Sequence, residues 1–261
     1  MCGIAGEIRF DDKPAQVRRV AEMSRHQARR GPDASGLVVR GGVAFGHRRL
    51  KIIDLSEHGS QPMHDADLGL TIVFNGCIYN YPQLRQELIG HGYRFFSTSD
   101  TEVILKAYHR WGEDFVDHLV GMFALAIHER DSGRLLLARD RLGIKPLYLA
   151  ETPGAVRFAS TLPALLAGGG VDTAIDQVAL SHYLSFHSVV PPPRTILRGV
   201  RKLPPATVRV YEPDGGVRDH VYWDPSFTRH PDRLDWSERD WQDALLASLT
   251  TAVRRRMVSD V

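Results

Sequence analysis

Between residues 2 and 160 the chain switches repeatedly between strand-like and helix-like spacing, and this alternation constrains the fold more than any other feature. Strand character marks residues 2–10, 36–39, 43–49, 70–74, 123–128, 134–139, 146–150 and 156–160, separated by short polar turns. Helical spacing appears at 15–27, where Val17, Val20, Ala21 and Met23 fall on or near one face, at 81–91, and at 101–110 with Val103, Ile104, Ala107 and Tyr108 as a stripe. Gly31-Pro32 stops the first helix, and Asn75-Gly76 reads as a turn. Strands that arrive as hairpins lack the long crossovers a parallel sheet needs. They predict an α+β domain of antiparallel sheets covered by helices, spanning residues 2–165.

The pattern changes after residue 165. Residues 162–166 and 178–186 are helical in spacing, while Gly168-Gly169-Gly170 and Pro191-Pro192-Pro193 read as joints. Residues 208–211 and 219–222 flank Asp214-Gly215-Gly216 as a hairpin. A last helix over 236–256 carries Trp241, Leu245, Leu246, Leu249 and Val253 at helical spacing, and the sequence stops soon afterwards. We expect a chain cut short, with 166–261 a linker and the incomplete start of a second, α-rich domain.

Composition excludes several classes of function. A formal charge of +2 gives no electrostatic reason to expect nucleic acid. No run approaches the roughly 18 apolar residues of a membrane span, and the N-terminus lacks the regions of a signal peptide. Two cysteines make no disulfide framework, and the twelve histidines show no metal-ligand spacing. A reactive thiol works best in a reducing compartment, so the expected location is the cytoplasm.

That thiol is Cys2. Removal of Met1 would leave a cysteine carrying its own α-amine, whose ordinary pKa near 8 suits it to act as the base a thiol nucleophile requires. The competing reading is a small apolar residue opening a buried strand. Motifs downstream favour the nucleophile: Met1-Cys2-Gly3-Ile4, Arg30-Gly31-Pro32-Asp33, Gly46-His47-Arg48-Arg49-Leu50, Phe74-Asn75-Gly76, Ser99-Asp100-Thr101-Glu102 and the run from Asp140 through Lys145 to Tyr148. In this order and spacing they resemble the N-terminal glutaminase domain of class II glutamine amidotransferases of the asparagine synthetase family.

The resemblance implies an N-terminal nucleophile hydrolase fold, a four-layer α/β/β/α sandwich. It implies that Cys2 attacks the side-chain amide of L-glutamine and that a thioester is then hydrolysed to glutamate. Asn75 and Gly76 match the family's oxyanion donors, Arg49 its residue for the substrate carboxylate, and Asp100 its residue for the substrate amine. Leu50, Ile53, Gly76 and Cys77 complete the substrate pocket by the same match. A guanidinium forks onto a carboxylate, which suits Arg49 to that role. From the residues alone, Arg49 is also a surface arginine, and Ser99 or Asp100 a cap for the helix at 101. The resemblance calls for no cofactor or metal in this domain. It places ATP and Mg²⁺ in a synthetase domain, whose Ser-Gly-Gly-x-Asp-Ser loop does not occur in these residues. It also admits a homodimer.

One departure stands out: asparagine synthetases usually carry glutamate where this chain has Cys77. A neutral thiol cannot pair with the glutamine ammonium. The substitution resembles the branch that amidates the dipeptide N-acetylglutaminylglutamine, which stands as an alternative. Further alternatives are another amidase, a glutaminase joined to a sugar-phosphate isomerase, and a non-catalytic module in which Met1 stays and blocks Cys2. His47 is a weaker candidate base, Gly31-Pro32-Asp33 is read as a loop shaping the pocket, and Arg139-Asp140-Arg141 with Lys145 as an ion-paired loop.

Overall fold

Hairpin after hairpin, the chain lays down two six-stranded antiparallel sheets. The computed structural model describes residues 1–228 and 230–261. The first half comprises β1 (Gly3–Arg9), α1 (Val17–Arg25), β2 (Ala34–Arg40), β3 (Val43–Arg49), β4 (Met63–Asp65), β5 (Leu70–Ile78), α2 (Tyr81–Gly90) and α3 (Asp100–Trp111). There follow α4 (Phe115–His118), β6 (Gly121–Glu129), β7 (Leu135–Arg139), β8 (Tyr148–Thr152), β9 (Ala155–Ala159) and α5 (Leu162–Ala167). The remainder holds α6 (Gln177–Ser185), β10 (Arg201–Lys202), β11 (Thr207–Tyr211), β12 (Val217–Val221) and α7 (Glu238–Arg256).

One sheet runs β10-β8-β9-β1-β3-β2 and the other β12-β11-β7-β6-β5-β4. Between them Ile4, Ile8, Phe45 and Phe158 pack against Val73, Ala126 and Leu137. On the outer face of the second sheet Ile72, Phe74 and Leu125 meet Leu88 and Ile104 of α2 and α3. The first sheet is covered by α1 and α5 through Val20, Met23 and Leu165. The result is the expected α/β/β/α sandwich. Both faces of β1 are covered, which is why its sequence alternates so weakly.

The structure corrects the reading of Asn75-Gly76 as a turn. Both residues lie inside β5, opposite Ala124 and Phe123 of β6. Nine paired residues outweigh the local turn preference of the dipeptide. A side chain at Gly76 would meet the Met122 carbonyl oxygen at 2.3 Å, so the strand accepts only glycine there. Strands β4 and β10 are too short to show a period, and they went unread. Strands from beyond residue 165 extend both sheets, β10 beside β8 and β11 beside β7. A capping box of Ser237 and Asp240 starts α7, whose Leu245, Leu246, Leu249 and Val253 are all more than half exposed.

The inter-sheet core has little slack. A methyl group on Gly6 would come within 2.5 Å of the Phe158 ring and 2.9 Å of Phe45, which form an edge-to-face pair. Gly6→Ala is therefore expected to lower unfolding free energy by about 1–3 kcal/mol in a denaturant titration. An unchanged midpoint would show that these rings are looser than described.

Candidate active site

At one end of the sandwich a cavity of about 230 Å³ opens between the sheets. Cys2, Arg49, Leu50, Ile53, Asn75, Gly76, Cys77 and Asp100 all border it, so the structure brings together the residues expected for catalysis and substrate binding, while His47 and residues 31–33 lie outside it. Cys2 stands at the entry to β1. Its sulfur lies 3.4 Å from the Leu50 N–H and 3.6 Å from the Leu50 carbonyl oxygen. Arg30 donates to the Cys2 carbonyl at 3.0 Å and fixes the backbone from the other side. Burial pushes the Cys2 thiol up, and the same effect pulls the Met1 α-amine down.

The donors come from the open edge of β5. Its neighbour β4 pairs only as far as Ile72, so amides beyond that point face no strand on that side. Phe74 N–H donates to Gln61 Oε1 at 2.6 Å, and Ile78 N–H to Asp100 Oδ2 at 3.1 Å. Phe123, opposite Gly76, spends both its backbone groups on Asp140. Alternation therefore turns the Gly76 N–H to the same open edge, between those of Phe74 and Ile78. The Asn75 side chain is buried, and its Nδ2 has no hydrogen-bond partner among the described residues. A buried amide left this way is costly unless a ligand completes it.

The charged side chains of Arg49 and Asp100 border the cavity. Arg49, nearly fully buried, donates to the carbonyls of Ser56 at 2.7 Å, Ile53 at 3.5 Å and Asp54. It is thus a buried cation held by carbonyl dipoles, not the surface arginine of the alternative reading. Asp100 opens α3, and Ser99 is the cap, its hydroxyl accepting from Thr101 N–H at 3.1 Å. Burial pushes the Asp100 carboxyl up to about 6, against hydrogen bonds from Ile78 and Ser99 that favour its anion. Cys77 stays a thiol, since burial and then Asp100 push it up to about 12.

Several other readings are settled by geometry. His47 is fully buried with Nε2 3.2 Å from the Phe74 carbonyl oxygen, and desolvation drives it down to about 3. It is a neutral structural imidazole. Asp33 does not border the cavity; it accepts from Lys51 N–H at 2.8 Å. Among the described residues the loop after β7 forms no ion pair. Asp140 accepts four backbone amides, those of Phe123, Leu142, Ile144 and Lys145, and Arg139 donates to three carbonyls. Backbone groups there outcompete the side-chain charges because the turn leaves its amides unpaired. This geometry sends Lys145 to the cavity wall, its Nζ 3.1 Å from Met1 Sδ. Asp54 was also missed, because its role depends on a left-handed backbone (φ 54°) that sequence spacing does not reveal. Among the described residues no group of three or more His, Cys, Asp or Glu is placed to hold a metal, and no helix is long and apolar enough to cross a membrane.

An acid whose folded pKa is raised holds its proton more tightly folded than unfolded. Asp100 therefore weakens the fold progressively as pH rises from about 4 to about 6, and the cost is full above that. Asp100→Asn is expected to gain in melting temperature relative to wild type across that window. A difference that stays flat with pH would contradict the buried, high-pKa carboxyl.

A family model described as a glutamine amidotransferase domain matches residues 1–223. The chain is 36% identical to asparagine synthetase [glutamine-hydrolyzing] 3 of Bacillus subtilis, over 100% of this chain and 42% of that protein. It is 32% identical to amidase chyE of Penicillium rubens, over 100% of this chain and 40% of that protein. The chain thus spans about 40% of the length of these relatives. Its fold resembles the glutamine phosphoribosylpyrophosphate amidotransferase of B. subtilis, with a TM-score of 0.64 at 20% identity, covering 85% of this chain and 49% of that one. With the match of most of its length to one family model, the chain belongs to the glutamine amidotransferase domain family, and among its relatives it resembles the asparagine synthetases.

Proposed function

We propose that the cavity hydrolyses L-glutamine with Cys2 as nucleophile, after removal of Met1 frees the α-amine of Cys2 itself. Arg49 takes the substrate carboxylate and Asp100 its ammonium, which aims the side-chain amide at the sulfur, with Leu50 and Ile53 as apolar wall. The α-amine accepts the thiol proton, and the sulfur attacks the amide carbon. Negative charge gathers on the amide oxygen, where Asn75 Nδ2 and Gly76 N–H donate to it. The ammonium returns the proton to the leaving nitrogen, the C–N bond breaks and ammonia departs. Water, activated by the same amine, then attacks the thioester, and glutamate leaves with the thiol restored.

The observation that carries this reading is the meeting of a thiol, an unpartnered buried amide and two oppositely charged arms around one cavity. We assign catalysis to residues 2–165 and read 166–261 as a linker and the beginning of a synthetase domain, with strands β10, β11 and β12 joined to the two sheets. Ammonia would pass to a synthetase domain in which ATP and Mg²⁺ activate an acceptor carboxylate. Aspartate is the acceptor that the resemblance to asparagine synthetases favours. Cys77 supports a second reading, an N-acetylglutaminylglutamine-type dipeptide, because the carboxylate usual at that position is missing. Amide formation by a chain carrying its synthetase domain, supplied with each acceptor in turn, separates the two. A reducing, cytoplasmic setting suits the free thiols.

Cys2→Ala is expected to abolish glutamate release while leaving the melting temperature within a few degrees. Asn75→Ala is expected to lower kcat by about 10²–10³-fold with a smaller change in KM, because its amide is needed most when the oxyanion forms. Full activity in either variant would overturn the assignment of that residue.

A further inference from the structure

Asp54 joins both arms of the pocket. Its carbonyl receives the Arg49 guanidinium, and its carboxylate accepts from Thr98 N–H at 2.9 Å, just ahead of Ser99 and Asp100. The same carboxylate accepts from the Ser56 N–H and hydroxyl, which shapes the loop whose carbonyls hold Arg49. Its backbone is left-handed, a conformation that persists in a non-glycine residue only where its surroundings over-determine it.

One of those surroundings lies at the far end of the chain. The Asp54 N–H donates to Asp260 Oδ2 at 2.7 Å, and the Asp260 N–H donates to the Ile52 carbonyl at 2.9 Å. These bonds form a two-point clamp on the loop that cradles Arg49. The segment is anchored beside the pocket as well: Val258 packs on the cluster of Ile53, Cys77 and Tyr79, and the Arg256 guanidinium lies 5.3 Å from the centre of the Tyr79 ring.

We propose that Asp260 is a positioning residue for glutamine binding, which fixes Asp54 and, through it, the carbonyl cradle of Arg49 and the entry to α3. The inference rests on the reading of Arg49 as the group that takes the glutamine carboxylate. Because Asp260 follows α7, displacement of that helix end would loosen the cradle, and glutamine affinity would report the position of α7. The effect belongs to binding, since Asp260 touches none of the groups at the reacting carbon.

The test uses the 261-residue chain with Asp260→Ala, Asp260→Asn and, as a control, Ser259→Ala, whose hydroxyl bonds only Val261 among the described residues. Hydrogen exchange at the Asp54 amide is read alongside KM and kcat for glutamine. Asp260→Ala should speed Asp54 exchange and raise KM, each by about 2- to 10-fold as befits one hydrogen bond, with kcat within twofold of wild type. Asp260→Asn retains an acceptor oxygen and should restore both values, and Ser259→Ala should change neither. Unchanged Asp54 exchange in Asp260→Ala, or failure of Asp260→Asn to rescue, overturns the proposal. The exchange readout decides it even if wild type releases no glutamate, an outcome that would instead count against the glutaminase reading.

Discussion

The open edge of β5 is the constraint on which the rest of the site depends. Had β4 continued alongside it past Ile72, the amides of Phe74, Gly76 and Ile78 would have been spent on a ladder. Instead Gln61 and Asp100 take the outer two, and the middle one is turned to the cavity beside the Asn75 amide. The edge thus builds a pair of donors and, in the same stroke, draws the Asp100 carboxylate to the pocket. In the proposed reaction these two fixed dipoles would meet the developing charge with little reorganisation.

The second organising feature is the treatment of charge by backbone. Arg49 is held by carbonyls, Asp140 by amides, and Glu102 by the amides of Phe96 and Ser97 together with the Ser97 hydroxyl. Hydrogen bonds from backbone dipoles offset the cost of burying these groups, and of the three only Arg49 borders the cavity. At Asp100 burial outweighs such bonds and raises the pKa, so in the proposed reaction an arriving ammonium would relieve a carboxylate that the fold disfavours.

Much of the framework was legible from periodicity. Helices such as α3 and α7 and hairpins such as β11 and β12 follow from local spacing and turn residues, because their apolar stripes and glycines act within a few positions. What stayed hidden depends on distant partners. Asn75-Gly76 looks like a turn until Ala124 and Phe123 are placed opposite it. The bonds from Asp54 to Asp260 and from Arg139 to Leu203 join segments that no local pattern relates. The Asp140 to Tyr148 run was recognised as a motif, but its charges were assigned to one another because the unpaired amides of the turn are invisible in sequence. The family resemblance named the side chains, and only the fold shows which are buried, which are held, and which are left with an unmet hydrogen bond.

The most direct measurement is mass spectrometry of the wild-type chain, quenched in acid during turnover of L-glutamine, with the N-terminal peptide resolved. The account predicts that Met1 is absent and that a γ-glutamyl group sits on the Cys2 sulfur. Turnover with Met1 retained, or with the adduct on Cys77 and none on Cys2, would contradict it.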